Sequence, residues 1–426
     1  MKIRLEQYFD RLWPLNRSIT GHGLRQSLDI LGELLPLRRT EVLSGSRVYD
    51  WTVPLEWEVH EAYILTPDGC KIANFAENNL HLIGYSIPVH AQMSLEEIKP
   101  YLHTLPQQPD AVPYLTAYYG NTWGFCLTEQ EYQKLKPGMY EVVVDTVLQP
   151  GGMSLADAVL TGRSAKEILI STYLCHPSMA NNELSGPLVA AFLYEKLAAM
   201  TDRFYTYRFV FAPETIGTIA YLSEHKEHLL KYLHGGLVAT CLGDPGNFTY
   251  KTSRDGNTEI DAVAQHILRH FSQDRHSIVD FVPIGSDERQ YCSPGFNFAV
   301  GSLMRTMYGR YPEYHTSKDN KEFISFSALE ESVEMYVRVV QALEINHRYI
   351  NLQPFCEPCL GSRGLYPMIG LKEEKDASLQ RRMYILNYSD GHHSVLDIAE
   401  KIGCCILELR DEVSLLVKHS LLGIVS

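Results

Sequence analysis

Residues 171–186, S-T-Y-L-C-H-P-S-M-A-N-N-E-L-S-G, bring together an imidazole (His176), a carboxylate (Glu183) and two side-chain amides (Asn181 and Asn182). A neutral imidazole next to carboxylate oxygens is a donor set suited to zinc. On their own, the same residues also describe a polar turn around a hydrogen-bonded histidine. Further along, Glu214 follows the apolar run Phe209-Val210-Phe211-Ala212; by itself it reads as a carboxylate favoured at a helix start by the macrodipole. In Asp287-Glu288-Arg289 the two acids are suited to meet an amine and the guanidinium a carboxylate.

The elements that must position these groups are legible around them. Residues 167–174 are short, apolar and β-branched, the texture of a buried parallel strand. Proline cannot continue a central ladder, so Cys175-His176-Pro177 puts His176 at the strand's exit. Asn181-Asn182-Glu183 and Ser185-Gly186 then form a turn, and Pro187 opens a helix carrying Leu188, Val189, Ala190 and Leu193. Functional groups are thereby collected at the carboxyl edge of a sheet, where α/β proteins place their ligands. Strands are expected at 167–174, 205–212, 236–241, 278–282 and 297–301. Helices are expected at 187–200, 218–226, 258–271 and 325–343, an alternation that implies a mostly parallel sheet flanked by helices. Two amphipathic helices, 5–15 and 27–35, precede it, joined by the glycine-bearing loop 16–23. Between them and the α/β region, residues 51–87 and 114–147 are short aromatic or β-branched runs broken by turns, which points to an inserted sandwich or jelly-roll-like module. Residues 377–426 read as three helices, with Ser394 capping the second, in a pattern that resembles a winged helix.

His-Pro-x-x-Ala-Asn-x-x-x-Ser-Gly, at 176–186, resembles the first metal motif of the zinc aminopeptidase superfamily, which includes bacterial leucyl aminopeptidases and glutaminyl cyclases. Residues 209–220 and 314–320 match later motifs in the same order. The closer likeness is to bacterial aminopeptidase-like proteins with an inserted β domain and a carboxy-terminal winged-helix-like domain, and it covers nearly the whole chain. The resemblance implies a discontinuous catalytic α/β domain (1–46 and 150–350), a β insert (47–149) and a winged-helix-like domain (355–426). It implies zinc held by His176, Asp244 and His315, with Glu214 as the general base and Asp287, Glu288 and Arg289 near the substrate. Three positions depart from the family pattern. Asn182 stands where a metal-bridging aspartate is usual, and Glu183 follows where an asparagine is usual. Thr215 replaces the second of two glutamates. Either Glu183 turns in to ligate, or the dinuclear site is reduced to one ion; the two lost carboxylates favour one zinc per chain.

With 426 residues and ordinary hydrophobic content, the chain is expected to fold into two or three domains. A formal net charge of −13 speaks against nucleic-acid binding, which needs a basic surface. No apolar run reaches the roughly 20 residues that span a bilayer. The amino terminus lacks a signal-peptide pattern, and the scattered cysteines read as reduced thiols, so a cytoplasmic location is expected. The lone Cys356-x-x-Cys359 lacks the second pair of a zinc finger. The expected activity is zinc-dependent, aminopeptidase-like hydrolysis of a peptide or amide in a small substrate with a free amino end. A homo-oligomer is compatible with this reading. The rivals are a degenerate metal-cleft binding or scaffold protein, and a glutaminyl-cyclase-like transferase.

Overall fold

The computed structural model describes residues 1–272, 275–366 and 374–425, with 374–376 as backbone only. By its contacts the chain forms two units, Met1–Thr258 with Arg275–Glu334, and Glu259–Asp274 with Met335–Ser426.

The first unit is built on an eight-stranded sheet: β1 (Arg38–Leu43), β2 (Gly152–Leu160), β3 (Glu167–Tyr173), β4 (Thr206–Ala212), β5 (Leu233–Ala239), β6 (Phe248–Lys251), β7 (His276–Val279) and β8 (Val300–Met304). Their spatial order is β1-β2-β4-β3-β5-β8-β6-β7. The central strands β4, β3, β5 and β8 are parallel, and every residue of β3, β4 and β8 is buried, the charged Glu167 and Arg208 as an ion pair of 2.6 Å. The sheet as a whole is mixed, because β1, β2 and β6 each pair antiparallel with a neighbour. Helix α3 (Ser185–Ala198) follows β3, and α4 (Ile216–Tyr232) follows β4. Pro187 therefore sits just inside α3 rather than opening it. Gly186 has no room for a side chain, since a Cβ there would lie 2.3 Å from the Ala239 carbonyl oxygen. Helices α1 (Lys2–Leu12) and α2 (His22–Leu31) bury Leu5, Phe9 and Leu12, and Leu24, Leu28 and Leu31. Both lie on α3, where Arg4 holds Glu195 through two hydrogen bonds of 2.9 and 2.8 Å.

The aromatic insert differs from a sandwich. It is one antiparallel four-stranded sheet, ordered Lys71–Ile72, Glu56–Leu65, Met139–Gln149, Val89–Ser94, with short two-stranded ribbons beside it. Residues 80–87 and 114–119, expected as strands, are irregular. The reason is tertiary: Tyr114 N–H donates to the His315 carbonyl (2.9 Å) and Ser317 N–H to the Val112 carbonyl (2.8 Å), which ties the start of 114–119 to the His315 loop, while Leu115 and Ala117 bond Gly84, outside the insert's sheet. Trp123 stacks on Tyr101 with ring centroids 4.1 Å apart and belongs to the core.

The second unit carries a three-stranded antiparallel sheet, Asp390–Ser394, Arg348–Asn351 and Leu422–Ile424, with helices Glu374–Tyr388, Val395–Ile402 and Arg410–Lys418. Ser394 and Asp397 cap the second of these reciprocally. Helix Glu259–Phe271 joins this unit: His266 bonds Glu400 at 2.6 Å, and its Nε2 accepts from Ile406 N–H at 2.9 Å. Of the range 355–426, residues 367–373 and 426 lie outside the described residues. No helix of the described residues is long and apolar enough to cross a membrane.

Candidate functional site

His176 leaves β3 as expected and is buried. The chain then passes through a π-turn, Ala180–Leu184, a wide helical turn that swings Glu183 back toward the histidine. The Glu183 carboxylate meets His176 Nδ1 at 2.8 Å, and Nε2 on the other side of the ring faces Glu214 at 3.6 Å. Cys175, His176 and Glu183 form the metal-competent donor cluster among the described residues. Burial works against a charged ring at His176, yet the Cys175 sulfur and the Glu183 carboxylate outweigh it and push its pKa well above the usual histidine range. Burial lifts the Cys175 thiol to about 11.

Beneath this pair lies Arg17, fully enclosed. It donates to the His176 carbonyl at 3.1 Å and to the Leu12 carbonyl at 2.5 Å, and sits 3.8 Å from Glu183. Its only sequence signal was membership of the glycine-bearing loop 16–23. Glu183 Oε1 and Asn182 Oδ1 are enclosed without a hydrogen-bond partner. Asn182 is otherwise held by Tyr173, to whose hydroxyl its amide donates at 2.7 Å.

His315 comes to the same place from the loop after β8, its ring centroid 5.5 Å from that of His176, with Tyr114 about equally close to both. It holds a left-handed backbone conformation, φ 55°, and stacks on Tyr314. Its Nε2 is enclosed and lacks a partner. Burial, reinforced by His176, lowers its pKa to about 3, so the ring is neutral with a lone pair to offer. That orphaned nitrogen belongs to a residue lining the same cavity as His176, and a neutral imidazole of this kind suits a zinc-type ion.

The structure does not bring Asp244 to this cluster. Its two oxygens take up four donors: Gly246 N–H (2.8 Å), Thr306 Oγ1 (2.6 Å), Thr306 N–H (3.2 Å) and Asn181 Nδ2 (3.1 Å). Asp244 thus fastens three loops together and has no oxygen left over. Asp319 accepts from the backbone N–H groups of Asn181 (2.6 Å) and Asn182 (2.9 Å), which anchors the π-turn.

Glu214 lies two residues beyond the end of β4, and its pKa is raised to about 7 by burial. Thr215 beside it is strained, at φ 65°. Two neighbours hold that strain: Asp287 accepts from Thr215 N–H (2.8 Å), and Arg289 donates to Thr215 Oγ1 (2.8 Å). Asp287 also accepts from Thr218 Oγ1 (2.8 Å), so it serves the start of α4 and not an incoming amine. Glu288 is withdrawn as well. It forms a fully buried ion pair with Lys251 at 2.6 Å and accepts from the Tyr308 hydroxyl at 3.0 Å. Of that acidic-basic stretch, Arg289 alone lines the cleft.

The cleft is a cavity of about 560 Å³ whose floor is Cys175, His176, Glu214, Arg289 and His315. Its wall is Ile19, Trp51, Tyr114, Tyr118 and Tyr119, largely from the insert. Trp123 takes no part.

The family described as "Domain of unknown function (DUF4910)" matches residues 6–346. The chain belongs to that family. A winged helix-turn-helix model matches residues 347–423, in agreement with the second unit's fold. A Clostridium acetobutylicum relative, named "Putative polysaccharide biosynthesis protein with aminopeptidase-like domain", is 44% identical over 416 residues, covering 98% of this chain and 95% of its own. A crystal structure from Clostridium acetobutylicum, described as a "putative peptidase", superposes with a TM-score of 0.93 at 42% identity, covering 100% of this chain and 96% of that one. A zinc aminopeptidase from Bacillus subtilis superposes with a TM-score of 0.57 at 11% identity, over 80% of this chain and 95% of that one. This last likeness is one of fold: the first unit has the mixed α/β architecture of the zinc aminopeptidases, the coarse form of the resemblance seen in the motifs.

Proposed function

We propose that the chain is a zinc-dependent hydrolase of the aminopeptidase type, cleaving a peptide or amide bond in a small substrate. The observation that supports this reading most directly is the pairing of His176 Nε2 with Glu214 in a cavity that also holds the partnerless Nε2 of His315. One ion would be held by His176 and His315, with Glu183 or Cys175 completing the donors. Asp244 is not among them, and Asn182 offers a neutral oxygen only. When bound, zinc supplies Lewis-acid polarisation of a carbonyl and acidifies water. Glu214 is suited to proton transfer because its pKa of about 7 lets it take up and return a proton near neutrality. The aromatic wall excludes water and limits substrate size. The expected free amino end loses the support of Asp287 and Glu288, whose oxygens are bonded elsewhere.

The test is metal content of chelator-free protein, followed by a screen of aminoacyl amides, dipeptides and N-acetylated sugars, the last included because the relative's name refers to polysaccharide biosynthesis. Zinc near one equivalent and turnover abolished in Glu214→Gln, with zinc retained, is the expected result. Absence of metal and turnover would favour the scaffold reading, and a cyclised product the transferase.

A further inference from the structure

We infer that Arg289 anchors a carboxylate of the ligand, so the cavity selects small acids with an apolar or aromatic body and does not read a free amine. The inference rests on the proposed role of this cavity as the site for a small peptide-like substrate.

Three observations converge. Arg289 is pinned through one terminal nitrogen to Thr215 Oγ1 at 2.8 Å, while its Nε is enclosed with no hydrogen-bond partner. No described carboxylate lies within ion-pair distance of it; the nearest acids in sequence, Asp287 and Glu288, are committed to α4 and to Lys251. A guanidinium carries five donors in a planar fork, and Arg289 is half-buried and lines the cavity, so the terminal N–H groups it does not spend on Thr215 are open to a ligand that accepts two parallel hydrogen bonds. A carboxylate has that geometry.

The rest of the cavity points the same way. Its acidic and basic side chains among the described residues are Glu214, Arg289, His176 and the neutral His315. Glu214 is the one carboxylate among them; it lies 3.6 Å from His176, and the proposed function commits it to proton transfer rather than to holding an ammonium group. Ile19, Ile216, Trp51, Tyr118 and Tyr119 offer apolar area for the ligand's body. Thr215 is the positioning residue here: its strained backbone turns Oγ1 to the guanidinium and fixes the direction of the fork.

The experiment is calorimetric titration of chelator-treated full-length protein, so that binding is read without turnover. The probes are glycyl-phenylalanine, its carboxy-terminal amide and its N-acetyl derivative. The free and N-acetylated peptides are expected to bind alike, and the amide at least tenfold more weakly. Arg289→Gln should abolish that preference, and Arg289→Lys should keep part of it as a point charge. Equal binding of acid and amide by the unaltered protein, loss of binding on N-acetylation, no binding of any probe, or an undiminished preference in Arg289→Gln would each overturn the inference. The unaltered protein alone decides the first three, so a misfolded variant does not blunt the test. Intact acid selectivity with no hydrolysis after zinc is restored would instead sink the proposed function and leave the anchor standing.

Discussion

Arg17→Met is the most informative single perturbation, because it separates what holds the site from what works in it. Arg17 and Glu183 are both fully buried and 3.8 Å apart. At an effective dielectric constant of about 20, that separation corresponds to about 4 kcal/mol of attraction, in line with the roughly 3–5 kcal/mol lost when one partner of a buried pair is removed. Methionine fills much of the same volume but leaves the Glu183 charge without its cation. All four tryptophans (Trp13, Trp51, Trp57 and Trp123) lie in the first unit, so their fluorescence reports that unit's unfolding alone. With a urea dependence of about 2–3 kcal/mol per M, the midpoint should fall by about 1–2 M. The double variant Arg17→Met/Glu183→Gln removes both charges and should recover at least about 2 kcal/mol of the loss, measured on metal-free protein as a double-mutant cycle. Strict additivity of the two single changes would refute the claim that the pair is coupled.

Gly186→Ala should destabilise the first unit by about 1–3 kcal/mol or more, because the new methyl lands 2.3 Å from the Ala239 carbonyl and 2.5 Å from Thr172 Oγ1; a urea midpoint unchanged from the native protein would contradict this. Thr306→Val removes a 2.6 Å hydrogen bond to Asp244 and should lower stability by about 1–3 kcal/mol without lowering zinc content; loss of zinc would restore Asp244 to the ligand set. Zinc is expected at one equivalent per chain by mass spectrometry, and two tightly held equivalents would refute the single-ion site. In the winged-helix unit, the backbone N–H groups of His392 and His393 hold Asp390 at a pKa of about 2, below its ordinary 3.8. A depressed acid stabilises the fold above its ordinary value and loses that effect as pH falls towards the folded value. The thermal midpoint of Asp390→Asn should thus trail the native protein at pH 6, with the gap closing between pH 4 and 2.

What the sequence alone determined was local. The buried run before Cys175-His176-Pro177 had to be a strand ending at the histidine, since its apolar texture demands burial and proline stops the ladder. The Ser394 cap and the helical periodicities depend on neighbours a few residues away, and they form where the spacing puts them. Tertiary structure decided which polar groups remain free. Asp244 looks like a ligand until Thr306, 62 residues on, supplies two of its hydrogen bonds. Asp287 looks ready for an amine until Thr215 and Thr218 claim both its oxygens. Residues 114–119 have the composition of a strand, but their backbone partners outside their own turn are His315, from a distant loop, and the single residue Gly84, and not the insert's sheet. A carboxylate's chemistry is written in its residue type; whether it is available depends on donors brought to it from distant parts of the chain, and only the folded arrangement settles that.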